Sequence, residues 1–94
     1  MKQVIDGKLY NTETATEIAS DRYWDGHNFE RHGRNTYLYK SKKGNYFVHH
    51  TTCWQGERDT IEAVTLDEAK RYYETLSEHA VEYAEAFGVK PAEA

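Results

Sequence analysis

The sequence predicts an α+β fold: an antiparallel β-sheet of about three to five strands, covered by a long C-terminal helix and preceded by a short N-terminal helix. Three observations predict it. Two aromatic-rich runs, Tyr37-Leu-Tyr39 and Tyr46-Phe-Val48, flank a Lys42-Lys-Gly-Asn45 turn, the pattern of a β-hairpin. After residue 66 the apolar spacing changes to that of a helix. Eight Tyr, three Phe and two Trp among 94 residues supply large burial per side chain, so a core forms although only 38% of residues are apolar.

The elements follow in order. Lys2 to Ile5 reads as a short strand, Asp6-Gly7 as a turn and Lys8 to Tyr10 as the return strand. Asn11 or Thr12 suits a helix N-cap, and Thr14-Ala-Thr-Glu17 has capping-box spacing. Ala15, Ile18 and Ala19 give that segment one apolar face, so a helix is expected over about Thr12 to Ser20. Residues 21 to 34 read as a loop with a short strand near Asn28 to Arg31, in which Trp24 and Phe29 need burial. In the hairpin Tyr37 and Tyr39 share a face opposite Leu38, and Tyr46 and Val48 share a face opposite Phe47. Thr60 to Val64 is the third sheet strand. Thr65-Leu-Asp-Glu68 is a capping box opening the long helix, along which Leu66, Ala69, Tyr72 or Tyr73, Leu76, Ala80, Tyr83 or Ala84 and Phe87 recur. Thr75-Leu-Ser-Glu78 offers a second start, so a kink or break near Ser77 is allowed. Gly88 suits the C′ position and Pro91 ends the helix. Residues 1–90 are expected to form one domain and 91–94 to fray.

Charge is unevenly spread. The net charge is −4. Residues 31–50 hold Arg31, Arg34, Lys40, Lys42 and Lys43 with no acid, whereas residues 51–94 hold four basic and ten acidic groups. Such asymmetry speaks to partners rather than to fold. The single cysteine, Cys53, excludes an internal disulfide. The N-terminus lacks the apolar stretch of a signal peptide, and no run reaches transmembrane length, so a cytoplasmic protein that avoids membranes is expected.

Chemistry-bearing patterns are weak. His49, His50 and Cys53 form H-H-x-x-C, with His27 and His32 upstream. Zinc needs three or four convergent ligands, and adjacent strand residues point to opposite faces. Surface histidines and a half-buried thiol are the expected outcome, with neither metal nor cofactor. A Cys53/His nucleophile pair lacks a visible oxyanion loop, and no Gly-rich phosphate loop precedes a helix. The chain is not expected to be an enzyme.

Two binding surfaces remain. Arg31, Arg34, Lys40, Lys42 and Lys43 interleave with Tyr37, Tyr39, Tyr46 and Phe47, the combination by which β-surfaces hold single strands. The bland alternative is that the tyrosines are core and the lysines blunt an exposed turn. Glu74, Glu78 and Glu82 fall at i, i+4, i+8, with Glu85 near the same line. On a helix that spacing is about 6 Å per step, comparable to phosphate separation along a strand. Such a ridge would fit a basic nucleic-acid groove on another protein; the bland alternative is a solvated helix face.

Lys8-x-Tyr10-Asn-Thr12-Glu-Thr14-Ala15, the hairpin Leu38-Tyr-Lys-Ser-Lys-Lys-Gly44-Asn-Tyr-Phe47-Val-His49 and Glu68-Ala69-Lys70-Arg71-Tyr72 carry a resemblance. Over about residues 8 to 76 the chain resembles a family of small proteins carried by phages, plasmids and integrated elements of bacteria. Its members pair K-x-Y-[DN]-T-x-T-A with an L-Y-x-[TS]-K-x-G-x-Y-F-x-H hairpin and an E-A-x-x-[WY] helix. The resemblance implies a non-enzymatic, anti-CRISPR-like inhibitor in the bacterial cytoplasm. Its implied partner is a CRISPR effector or another nucleic-acid-handling complex. Read from their own spacing and not from the resemblance, Glu74, Glu78, Glu82 and Glu85 would compete for the cations that grip nucleic acid, with Trp54 or Tyr72 as anchors. An accessory nucleic-acid-binding protein using the hairpin is the alternative. The chain departs from the family at His50-Thr-Thr-Cys53-Trp54-Gln-Gly56, where members carry a Gly-Gly-rich segment, and at the Ser77–Phe87 extension. Functions seated there are not carried over. The sequence leaves the oligomeric state open.

Overall fold

The central hairpin forms where alternation places it. In the computed structural model, residues 1–21, 34–52 and 56–93 are described, Arg34 by its backbone alone. The strands are β1 (Lys2–Ile5), β2 (Lys8–Asn11), β3 (Thr16–Ser20), β4 (Arg34–Lys40), β5 (Tyr46–Thr52), β6 (Thr60–Val64) and β7 (Glu78–His79). The helices are α1 (Leu66–Thr75) and α2 (Tyr83–Phe87). β1 and β2 form a two-stranded ribbon; the others form an antiparallel sheet in the order β6-β5-β4-β3-β7.

This corrects the expected α+β fold with its long C-terminal helix. The described chain is mostly β, and its two helices have ten and five residues. The capping box does open α1: Thr65 Oγ1 accepts from the Glu68 N–H, and Glu68 Oε1 accepts from the Thr65 N–H. The helix then stops at Leu76, whose backbone is extended. Beyond it Glu78 and His79 pair with Ser20 and Ala19, and the N–H groups of Ala80 and Val81 both reach the Ile18 carbonyl. Sheet pairing outcompetes a helix whose next turns carry carboxylates at i, i+4 spacing. The chain re-enters a helical turn only at α2, closed by Gly88 in the left-handed region (φ 73°).

The expected N-terminal helix over Thr12 to Ser20 is also absent. Asn11 uses its side chain for an Asx turn, accepting from the Glu13 N–H, while its carbonyl accepts from Thr14 and Ala15. Thr16–Ser20 is then a strand beside β4. Ile18, Ala19 and Ser20 are all buried, which a one-faced helix would not have achieved. A register shift between Glu17 and Ala19 makes Ile18 the extra residue of a β-bulge, so Ile18 and Ala19 enter the same core cluster.

Both faces of the sheet are covered. On one, Ile18, Leu38 and Val48 pack beneath Ala69, Tyr73 and Leu76 of the α1 region and Phe87 of α2. On the other, Phe47 and Ile61 pack with Tyr10 of the ribbon, the Tyr10 and Phe47 rings meeting edge to face at 5.3 Å. Each fully buried Leu, Val or Phe contributes about 1.5–3 kcal/mol. Ribbon, sheet and helices thus form three layers. Among the described residues no helix is long and apolar enough to cross a membrane. The expected strand near Asn28 to Arg31, and the burial of Trp24 and Phe29, lie outside the described residues.

Candidate functional site

The expected acidic ridge is not a helical line. Glu74 lies in the last turn of α1, Glu78 in β7, Glu82 at the N-cap of α2 and Glu85 within α2. The break at Leu76 removes the helix that would have spaced them evenly. All four are exposed, and none makes an ion pair among the described residues. Glu82 lies close enough to Tyr73 to help hold its phenol above the ordinary range, after the larger effect of burial.

The aromatic hairpin divides into core and surface. Tyr39 stacks on Phe47 at 5.2 Å with the rings 10° from parallel, against the cluster under the ribbon. Tyr37 sits 6.1 Å from the His49 ring and is half-buried. Tyr46 donates to the Ala86 carbonyl at 2.7 Å, and Lys40 Nζ donates to the same oxygen at 3.2 Å. That shared acceptor belongs to the last turn of α2, so Lys40 and Tyr46 tie the helical layer to the sheet. Arg31 and the side chain of Arg34 lie outside the described residues.

Lys42 and Lys43 are different. The β4–β5 turn is closed by Ser41 N–H to the Asn45 carbonyl (2.8 Å) and Gly44 N–H to the Ser41 carbonyl (2.9 Å), with Gly44 at φ 85°. A three-residue loop with glycine in the left-handed region has this form. Ser41 Oγ also accepts from the Asn45 N–H at 3.0 Å. Both lysines are left exposed. The β1–β2 turn, with Asp6 at φ 51° and Gly7 at φ 76°, lies beside it. Lys8, Lys42 and Lys43 line one open cleft of about 420 Å3, with Ser41, Asn45 and Thr14 among its walls. Sequence reasoning reached Lys42 and Lys43 and missed Lys8. Both turns were legible, but their juxtaposition depends on the ribbon folding onto the sheet.

At the far end of β5 an open cleft of about 450 Å3 is lined by Thr36, His50, Glu57 and Arg58. His50 Nε2 is 3.3 Å from Glu62 Oε2, and its Nδ1 is 3.5 Å from Thr36 Oγ1. The second separation is too long for an activated hydroxyl. His49 points to the opposite face, as strand alternation requires. Its Nε2 is buried without a hydrogen-bond partner among the described residues. Burial holds its pKa below the usual histidine value; Asp59 opposes that shift, and the N-terminus and His50 reinforce it. No group of three or more metal-ligating side chains converges among the described residues. Cys53, Trp54, His27 and His32 lie outside them. Tyr72, the other expected anchor, is partly buried and packs at the margin of the helix-side core.

No protein family matches the chain, and no curated protein sequence or solved structure is significantly similar to it.

Proposed function

We infer that this chain is a non-enzymatic inhibitor carried by a mobile genetic element, of the anti-CRISPR kind, which docks by its surface on a nucleic-acid-handling effector of the bacterial host. The observation that carries the reading is the set of exposed carboxylates Glu74, Glu78, Glu82 and Glu85 on the C-terminal elements, which make no ion pair among the described residues. Between residues 65 and 87 the only compensating cations are Lys70 and Arg71. A surface of that kind attracts the lysines and arginines with which an effector grips nucleic acid, speeds encounter, and weakens with salt. The resemblance of the Lys8–Ala15 and Leu38–His49 motifs to mobile-element proteins supports the same reading. The broken helix changes its form: the carboxylates act as a dispersed field from three elements, not as an evenly spaced phosphate mimic.

The test is a phage challenge in strains carrying single, active CRISPR systems of different types. Expression of the chain should restore plaquing by orders of magnitude in at least one strain. The variant with Glu74→Lys, Glu78→Lys and Glu82→Lys should lose that effect while keeping its fold by circular dichroism. Failure to restore plaquing in every strain would remove the reading. Full activity of the charge-reversed variant would remove the carboxylates from it.

A further inference from the structure

The geometry points to the cleft between the two hairpin turns as a binding site for the phosphodiester backbone of a single nucleic-acid strand. Lys8 comes from β2, and Lys42 and Lys43 come from the β4–β5 turn, so the cations converge from two separate hairpins. None of the three makes an ion pair among the described residues. The described lining of this cleft contains no carboxylate. Three other surface clefts differ in this respect: Glu57 accompanies Arg58 in one, Glu68 accompanies Arg71 in another, and Glu17 and Glu78 line the third. Three uncompensated lysines around one opening therefore select an anion, although the chain as a whole is acidic.

The polar walls fit phosphate oxygens. Asn45 brings a side-chain amide that can donate, and Lys ammonium groups act as point charges that follow a backbone without demanding one geometry. Lys8, Lys42 and Lys43 are all exposed at the rim of the cleft, where a strand running over the two turns would meet them. Its aromatic member, Tyr10, is buried against Phe47 and is not free to stack with bases. Tyr39 is likewise stacked on Phe47. Recognition through this cleft is thus of backbone and not of sequence, unlike the aromatic platform expected from the hairpin alone. This site does not depend on the inhibitor reading, since it needs no protein partner.

The test is fluorescence anisotropy of the purified full chain with a labelled single-stranded oligonucleotide of mixed sequence, across a salt series. Contact with three phosphates predicts a slope of log affinity against log salt of about −2, from a coefficient of about 0.7 per phosphate. The variant with Lys8→Ala, Lys42→Ala and Lys43→Ala should bind at least about tenfold more weakly with a slope near zero. A control with Lys70→Ala and Arg71→Ala, which lowers net charge elsewhere, should bind within about twofold of the parent, because screening confines exposed charges to their neighbourhood. Circular dichroism and thermal melts confirm that both variants are folded. Scrambling the oligonucleotide sequence should change nothing. No binding at low salt, an equal loss in the control, or unaltered binding by the triple lysine variant would overturn the proposal. Calorimetric titration with pyrophosphate supplies the remaining arm: binding of pyrophosphate without binding of the oligonucleotide would also overturn it, by making the ligand a small phosphate.

Discussion

The Tyr73 hydroxyl donates a 2.9 Å hydrogen bond to the carbonyl of Val81, joining α1 to the segment that follows β7. The same ring stacks on His79 at 3.9 Å, with the planes 10° apart, and His79 Nε2 lies 2.7 Å from the carbonyl of Tyr73 itself. Since a carbonyl only accepts, Nε2 carries the proton there. Tyr73 thus holds the chain reversal that replaces a continuous helix. Tyr73→Phe keeps the ring and strands the Val81 carbonyl, and should cost about 1 kcal/mol. Tyr73→Ala removes the ring from the core and should cost about 3–5 kcal/mol. Urea unfolding followed by fluorescence reads both. Equal losses in the two variants would mean that the hydroxyl, not the ring, fixes the reversal.

Phe47 lies on the ribbon side of the sheet and is fully buried between Tyr10 and Tyr39. A sheet covered on one face only would leave that position wet. Phe47→Ala should therefore cost about 3–5 kcal/mol, as for an interior aromatic. Hydrogen exchange should show faster exchange in β1 and β2 in the same variant, because the ribbon loses the ring that Tyr10 packs on. Unchanged protection of β1 and β2 would place the ribbon's stability elsewhere.

These relations mark where sequence reading succeeds. Leu38 against Tyr37 and Tyr39, and Phe47 against Tyr46 and Val48, are neighbours in sequence, so their faces follow from alternation. The Thr65–Glu68 box and Gly88 are local too, and both form. Thr14-Ala-Thr-Glu17 has the spacing of a cap, yet the same short polar side chains serve a turn equally well, and only the pairing of Ala19 with Leu38 decides for a strand. Likewise Glu78 is helical by spacing and becomes a strand because Ser20 lies opposite. Lys8 joins Lys42 through the stacking of two hairpins, which no local pattern encodes. What stayed hidden was long-range.

The capping box predicts a response at acid pH. Hydrogen bonds from the Thr65 backbone, and its side-chain contact, hold the Glu68 carboxyl below its ordinary value of 4.5. The charged form is thus favoured in the folded state. Its contribution is full above about pH 4.5 and is lost as pH falls through the lower folded value. Glu68→Gln should reduce the acid-side slope of stability without altering the fold. Thr65→Ala should cost about 1 kcal/mol at neutral pH through loss of the cap. Denaturant midpoints between pH 3 and pH 7 test both. An unchanged acid slope in the glutamine variant would assign the effect to other carboxylates.

His49 predicts a second response at higher pH. Its Nε2 is buried with no hydrogen-bond partner among the described residues, and that burial disfavours the imidazolium; the ring lies 6.1 Å from Tyr37 and 6.5 Å from Tyr39. The folded pKa is lowered from 6.5, chiefly by burial, although Asp59 pulls it the other way. As pH falls below about 6.5 the unfolded chain takes up this proton before the folded chain does, so stability declines. This window lies above that of Glu68, which separates the two in a pH series. His49→Phe removes both the titration and the orphaned nitrogen among rings that accept another ring. The variant should gain about 1 kcal/mol at neutral pH, since an unsatisfied buried polar atom costs about 1–3 kcal/mol. Its stability should also be flat where the parent first declines. A parent-like decline in the phenylalanine variant would show that another group drives it, and a loss of stability at neutral pH would show that the Nε2 atom is hydrated and not orphaned.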